Sequence, residues 1–211
     1  MVRKNVFLAA VAVLFTVAVQ HVGAQVNPAD GRIPPEGQLR VRRFIGIGPR
    51  AREQAPFYQT NRGAAAKRAQ DWHVVSVFYD TAPEWIEELL VQFHVLSELQ
   101  DPVTKQKRYS LYKKSVRYVD IEKGNDHRAI VFLRPAAIKR FGEVVASAAV
   151  ITLDGKVVNE QNETKIPMPP SWWSNPAVLD SPTLTVREGY LLNQIESPWA
   201  LLNPDDYEVI K

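Results

Sequence analysis

The stretch from Asp71 to Gln100, DWHVVSVFYDTAPEWIEELLVQFHVLSELQ, decides the fold predicted for this chain. Up to Tyr79 it carries β-branched and aromatic residues on both parities, which is typical of a strand covered on both faces. From Trp85 onward apolar and polar residues mostly alternate, as in a strand with one face on a core. Pro83 lies between the two segments, where a residue without a backbone donor suits a turn. We therefore predict that the stretch forms the first hairpin of an all-β domain.

A helix over residues 84–100 is the competing interpretation of the second segment. Trp85, Leu89 and Phe93 recur in it at helical spacing. We favour the strand, because its β-branched and aromatic content agrees with that of the neighbouring segments.

Further strand and turn patterns follow Gln100. Tyr109–Ile121 and His127–Leu133 flank a polar turn cluster, and we predict that they form a second hairpin. Asp154-Gly155 is the preferred pair for a type I′ turn, which predicts a third hairpin around it.

A short helix and a sandwich complete the prediction for the domain. Residues 135–142 begin with Pro and end with Gly, which indicates one or two helical turns. Ala146, Ala148 and Ala149 leave room for bulky side chains of a facing sheet. The sequence therefore predicts a β-sandwich over residues 71–211, with a proline-rich C-terminal tail that packs across it.

The first 24 residues have the pattern of a secretory signal peptide. Arg3 and Lys4 precede an uncharged apolar run, and Ala24 ends a small-residue site, so we predict cleavage before Gln25. The chain has no cysteine, which excludes disulfides and lipid attachment through a cysteine. We expect export to the periplasm, the outer membrane or the cell surface.

Residues 25–70 are predicted to form an extended, basic, flexible arm. Prolines and glycines break any long periodicity in it, and it has nine basic residues against three acidic ones. Residues 71–211 have the opposite balance, with 15 basic and 20 acidic residues. A solvated tether is the simplest interpretation, and contact with an anionic envelope membrane surface or with the acidic domain is the alternative. Residues 39–47 resemble one short strand, at which the arm is anchored.

No pattern in the chain predicts catalysis. His73, His94 and His127 lack the short spacing of a metal motif, and Glu84, Glu87 and Glu88 lack the signs of a cleft that would tune their pKa values. Nucleophile and phosphate-loop motifs are missing as well. We therefore expect a protein that is not an enzyme, with no metal, no cofactor and no nucleic-acid partner.

Two surfaces are candidates for binding. The segment Tyr109–Ile121 is predicted to be an edge strand, with Lys113, Lys114 and Arg117 as tentative partner-binding residues. The other candidate is an aromatic platform for sugars or peptides made by Trp172, Trp173 and Trp199. Burial of these tryptophans against the core is the favoured interpretation of the second set.

Three segments carry a resemblance to a known family: WHVVSVFYDTAPEWIEELLVQFHVL (72–96), RYSLYKKSVRYVDIEKGNDHRAIVFLRP (108–135) and ASAAVITLDGKVV (146–158). Together they resemble the secreted immunoglobulin-like proteins encoded alongside type IV pilus components in verrucomicrobial bacteria. The resemblance implies an immunoglobulin-like β-sandwich, an envelope or outer-membrane location, and a part in pili. It supplies no functional residues.

Two functions are therefore expected from the sequence. The first is a non-catalytic, secreted structural or assembly module associated with type IV pili, with pilus or cell-envelope proteins as partners. The alternative is a surface-binding module for glycans or host proteins that uses the aromatic platform.

Overall fold

Strands carry most of the chain that the structure describes. The structure is a computed structural model and describes residues 35–56, 69–202 and 207–209. All of them belong to one structural unit, Ile33–Lys211. The predicted signal peptide lies outside the described residues. Among those that are described, no helix combines the length and the apolar character needed to cross a membrane.

The elements are short at the two ends of the chain and long in its middle. The N-terminal ones are α1 (Pro35–Gln38), β1 (Leu39–Ile45), a 3-10 turn (Pro49–Ala51) and β2 (Arg52–Gln54). The central ones are β3 (Asp71–Thr81), β4 (Trp85–Gln100), β5 (Lys107–Glu122), β6 (His127–Leu133), α2 (Pro135–Phe141), β7 (Glu143–Leu153) and β8 (Lys156–Thr164). The C-terminal ones are α3 (Pro176–Leu179), β9 (Leu184–Val186), β10 (Leu191–Leu192) and β11 (Tyr207–Val209).

The strands form two sheets around a shared core. The first sheet has the order β1-β3-β6-β10, with β2 beside β3. The second has the order β11-β5-β4-β7-β8, with β9 beside β5. Buried apolar side chains of both sheets meet in one cluster, among them Val75, Val77 and Tyr79 of β3 and Leu89, Val91 and Phe93 of β4. The predicted all-β sandwich is therefore confirmed.

One long ribbon, folded at a corner, supplies the centre of both sheets. β4 pairs antiparallel with β5 from Trp85 opposite Glu122 to Gln100 opposite Lys107. β3 pairs antiparallel with β6, with residue 79 opposite 127 and 73 opposite 133. This pairing continues the pairing of β4 with β5 along the same two stretches of chain. The two halves differ by one residue in register, so residues 71–100 and 107–133 are the two arms of a single bent hairpin.

The predicted turns are in the right places, but two of the predicted hairpins are wrong. β3 and β4 lie in different sheets, and so do β5 and β6. The reason is that both arms of the ribbon bend side by side, held by hydrogen bonds from the Thr81 N–H to Gly124 O (2.9 Å) and from the Lys123 N–H to Glu84 O (2.9 Å). A break in alternation looks the same in the sequence whether the chain reverses or crosses to the facing sheet. The helix considered for residues 84–100 is also wrong, because β4 is a strand throughout.

The third hairpin and the short helix are confirmed. β7 and β8 pair antiparallel, and the turn between them has positive φ angles at Asp154 (49°) and Gly155 (74°), as a type I′ turn requires. The helix α2 begins at Pro135 and ends at Phe141.

The buried hydroxyl of Thr81 holds the corner of the ribbon together. It donates to Glu122 O (2.9 Å) and accepts from the Gly124 N–H (2.9 Å). We expect Thr81→Val to lower the free energy of unfolding by about 1–3 kcal/mol, because two partly buried backbone groups lose their partner while the side-chain shape is kept. Chemical denaturation measures this change. Thr164→Val, at an exposed position of β8, is the matched control, and an equal effect of both substitutions would show that the corner does not depend on this hydroxyl.

The sandwich begins before the predicted boundary at Asp71. β1 pairs with β3 from Leu39 opposite Thr81 to Ile45 opposite Ser76, and β2 also pairs with β3. Residues 39–54 of the predicted flexible arm are therefore part of the first sheet. The short strand predicted within residues 39–47 is confirmed by β1, whereas β2 was not predicted. The predicted mobility of residues 57–68 concerns a segment outside the described residues.

A cluster of hydrogen bonds around Gly46 holds this part of the chain against both sheets. Its carbonyl accepts from His73 Nε2 (2.8 Å) and from Ser147 Oγ (2.8 Å). Glu163 Oε2 accepts from the N–H groups of Gly46 and Ile47, at 2.9 Å each. A Cβ at position 46 would lie 2.6 Å from the Phe44 ring, so the close approach requires glycine. These hydrogen bonds link β3 of the first sheet with β7 and β8 of the second.

Candidate functional site

The three tryptophans predicted as an aromatic platform are buried. Trp172, Trp173 and Trp199 expose 1%, 6% and 4% of their surface. The first two pack edge to face, with ring centroids 5.8 Å apart, against Leu96 and Leu111 on the outer side of the second sheet. The prediction of an exposed aromatic platform is therefore wrong, and the favoured prediction, burial of these tryptophans against the core, is confirmed.

Trp199 covers the outer side of the first sheet. It stacks on Phe132 at 4.2 Å between centroids, meets Trp72 edge to face, and donates its indole N–H to Glu53 (3.1 Å). The C-terminal tail thus packs on the outer faces of both sheets. This explains why β3 carries bulky residues on both parities, as the sequence predicted.

The strand β5 is not the edge strand that the sequence predicted. β4 pairs with one side of it, and β9 and β11 pair with two parts of the other side. The pairing of the C-terminal tail with β5 was not predicted, because β9 and β11 have three residues each and lie far from β5 along the chain.

Two of the three predicted partner-binding cations are engaged within the chain. Lys114 pairs with Glu196 (2.5 Å), and Arg117 pairs with Glu88 (2.8 Å). Burial alone would raise the pKa of Glu196, but hydrogen bonds from Lys114 and from the Asn193 N–H hold that pKa below its usual range. Lys113 is exposed. The three side chains therefore do not form one free cationic surface.

The histidines occupy separate environments. His73 Nε2 donates to the carbonyl of Gly46. His94 buries Nδ1 without a hydrogen-bond partner among the described residues, and the His127 ring stacks on the Tyr79 ring with centroids 5.3 Å apart. Within the described ranges, no three His, Asp or Glu side chains are grouped as a metal site.

A groove of about 800 Å³ lies where the start of β5, the end of α2 and β9 meet. Four of its lining residues are cations: Lys107, Arg108, Arg140 and Arg187. Hydroxyl groups accompany them, from Tyr109, Ser110, Thr183 and Thr185. We call this surface the basic groove.

Strand pairing places the C-terminal side of the basic groove. β9 runs parallel to β5, with the Tyr109 N–H donating to Thr183 O (2.8 Å) and the Arg187 N–H donating to Leu111 O (2.9 Å). Because side chains alternate along a strand, Thr183, Thr185 and Arg187 point to the same face. That face lines the basic groove.

Arg187 is held in a fixed orientation at the centre of the groove. Its guanidinium carbon lies 3.7 Å from the centroid of the Phe141 ring, and its Nε donates to Ser110 Oγ (2.8 Å). A guanidinium that is stacked and bonded through Nε keeps its two terminal nitrogens for a bidentate contact. The residue is therefore preorganised to bind an oxyanion.

Arg140 and Arg108 add further positive charge to the groove. Arg140 donates to the Tyr190 hydroxyl (3.1 Å) and lies over Phe141 at 5.0 Å. Neither of them, nor Arg187, forms a salt bridge with a carboxylate among the described residues. Lys107 differs, because it pairs with Glu98 (3.0 Å). Three guanidinium-bearing side chains thus line one groove without a salt bridge among the described residues, although Arg108 also interacts electrostatically with Asp101.

A smaller, apolar groove of about 220 Å³ lies next to the basic one, and Tyr109 lines both. Leu184, Val178, Met168 and Ile166 are among its lining residues. β9 therefore separates a polar, cationic face from an apolar face.

Sequence reasoning missed the basic groove. Arg108, Arg140 and Arg187 are far apart in the chain, and each one alone reads as an ordinary surface cation. The one local signal was the alternation of Thr183, Thr185 and Arg187 with the apolar Leu184 and Val186, which indicates a strand with two different faces.

Comparison with known proteins agrees with the fold. A crystal structure of a protein from Akkermansia muciniphila matches this chain with a TM-score of 0.65 and 20% sequence identity, over 82% of this chain and 93% of that one. At this identity the likeness shows the fold alone, and it confirms at that level the predicted resemblance to verrucomicrobial proteins. No curated protein matches the chain. A protein-family model matches residues 49–211, and the chain belongs to that family.

Proposed function

We propose that this protein is a non-catalytic module of the cell envelope that acts by binding a protein partner in the basic groove. Pilus proteins or other envelope proteins are the proposed partners. The observation that carries the proposal is that three arginines line one groove and none of them forms a salt bridge among the described residues. A cleft lined by charges of one sign concentrates the electrostatic field and attracts a partner of the opposite sign.

Two features of the sequence support an envelope location. The pattern of residues 1–24 predicts export, and the sequence resembles pilus-associated secreted proteins. The glycan-binding alternative is not retained, because the tryptophans on which it depended are buried.

Capture of envelope proteins tests the proposed function. We expect the tagged protein to retain partners from solubilised envelope membranes, and the double substitution Arg108→Glu with Arg140→Glu to reduce that capture about tenfold, equivalent to about 1.4 kcal/mol. Both side chains are exposed, so the reversal is expected to leave the fold intact. Quantitative mass spectrometry of the retained proteins measures the change.

The matched control is Lys123→Glu with Lys156→Glu, which changes the net charge equally at exposed positions outside the groove. Capture that falls equally with both double substitutions reflects net charge and would count against the groove. Capture unchanged by the groove substitutions would refute the proposal.

A further inference from the structure

We infer that the basic groove takes an extended, acidic segment of a partner protein, which adds to β9 as a further strand. This inference rests on the proposed function and specifies the chemistry of the partner. Its acidic side chains point to the guanidinium groups, and the residues between them point to the apolar groove.

The backbone of β9 offers one free edge for such a strand. Residues 183 and 187 direct their backbone groups to β5, as their hydrogen bonds to Tyr109 and Leu111 show. In a regular strand the intervening residues, Leu184 and Val186, direct their backbone groups to the opposite side. The Leu184 N–H is used by a turn, where it donates to Ser181 O (3.0 Å). Within the described part of the chain, β5 is the only strand that pairs with β9, so Leu184 C=O and both backbone groups of Val186 face a side without a strand.

The two faces of β9 determine which side chains an added strand carries. Neighbouring strands share their faces, so alternate residues of the added strand lie over the basic groove with Thr185 and Arg187. The residues between them lie over the apolar groove, beside Leu184 and Met168. Val186, which is 53% exposed, extends this apolar side. A segment with alternating acidic and apolar residues matches both faces.

The arginine geometry favours carboxylates presented in a row. Arg187 has a fixed guanidinium plane, and Arg140 and Arg108 flank the same groove. Arginine binds carboxylates through two parallel hydrogen bonds, which a row of acidic side chains on one face of a strand satisfies repeatedly. A free oxyanion would engage the guanidinium groups but would leave the β9 edge and the apolar groove unused. Strand addition uses all three, with the backbone supplying affinity and the two grooves supplying specificity.

The probe for this inference is a fluorescent peptide of alternating Glu and Val, eight residues long, with Gly-Ser ends. Fluorescence anisotropy with the full chain is expected to show binding that weakens at least tenfold when every Glu is replaced by Gln. A peptide of the same composition with four Glu followed by four Val is expected to bind at least fivefold more weakly. Inorganic sulfate at the same charge concentration is expected to compete at least tenfold more weakly than the unlabelled alternating peptide, because it engages the guanidinium groups alone.

Val186→Pro tests the backbone contact, because it removes an N–H that faces away from β5 and leaves the side-chain charges unchanged. We expect at least a fivefold loss of peptide binding, with an unchanged circular dichroism spectrum. Arg108→Glu with Arg140→Glu is expected to abolish binding, whereas Lys123→Glu with Lys156→Glu is not. Because the double substitution Arg108→Glu with Arg140→Glu leaves β9 intact, it tests the inference even if Val186→Pro unfolds that strand.

Equal binding of the alternating and block peptides, or displacement by sulfate that is as effective as displacement by the unlabelled peptide, would overturn the inference and leave a simple anion site. If envelope capture depends on the groove but the alternating peptide does not bind, the proposed function stands and the strand-addition inference fails. If neither depends on the groove, both fail.

Discussion

Replacing Trp172 with alanine is expected to lower the free energy of unfolding by about 3–5 kcal/mol. Its side chain is 1% exposed and packs with Trp173 and with apolar residues of three strands of the second sheet. Truncation leaves a cavity that rigid strands on one side cannot fill. This loss is a large part of the total stability of about 5–15 kcal/mol that is usual for a domain. Denaturation followed by circular dichroism measures it.

Two other substitutions separate packing from polarity. Trp172→Phe is expected to cost much less than alanine, because it keeps an aromatic ring and removes an indole N–H that is buried without a partner among the described residues. Trp85→Ala, at a side chain that is 57% exposed, is expected to change stability by less than about 1 kcal/mol. A stability loss that is as small at Trp172 as at Trp85 would show that the C-terminal tail does not pack on the sheet.

The free energy of unfolding is expected to fall by about 6 kcal/mol between pH 7 and pH 4 through His73 and His94 together. Burial lowers the pKa of each imidazole from 6.5 to about 4. At His73 the hydrogen bond to Gly46 partly opposes this shift, and at His94 the charge of Lys113 adds to it. As the pH falls from 6.5 towards 4, only the unfolded chain binds these protons. The stabilisation is therefore complete above pH 6.5 and is lost as the pH falls.

His94→Leu isolates one half of this effect. The substitution removes a titrating group and a buried nitrogen that has no partner in the described chain, so we expect little loss of stability at pH 7. Between pH 7 and pH 4 the variant is expected to lose about 3 kcal/mol less than the parent protein. Carboxylates titrate in both proteins, so the difference between them reports on His94. Parallel pH profiles would contradict the burial of its imidazole.

The sequence predicted the local structure well because alternation and turn residues report on each strand separately. The pattern of β4 correctly favoured a strand over a helix, and Asp154-Gly155 correctly predicted the turn between β7 and β8. Apolar residues at both odd and even positions of β3 predicted that both of its faces are covered. Trp199 covers the outer face.

Strand pairing was harder to predict because it depends on contacts between distant residues. A turn after β3 looked like a hairpin, yet the chain crosses there to the facing sheet. For the same reason β5 looked like an edge, although β9 and β11 return to it from the C-terminal tail. The candidate site depends on that return, since Arg187 reaches Phe141 and Ser110 only through the pairing of β9 with β5.

Site-specific photo-crosslinking in living cells tests most directly whether the basic groove is where the partner binds. A photoreactive amino acid is placed at Thr185, which lines the groove, and, as the control, at Val157, which is 58% exposed on β8. The account predicts a crosslink from position 185 to a pilus or other envelope protein, lost with Arg108→Glu and Arg140→Glu, and no such crosslink from position 157. Crosslinks to the same protein from both positions, or from position 157 alone, would contradict it.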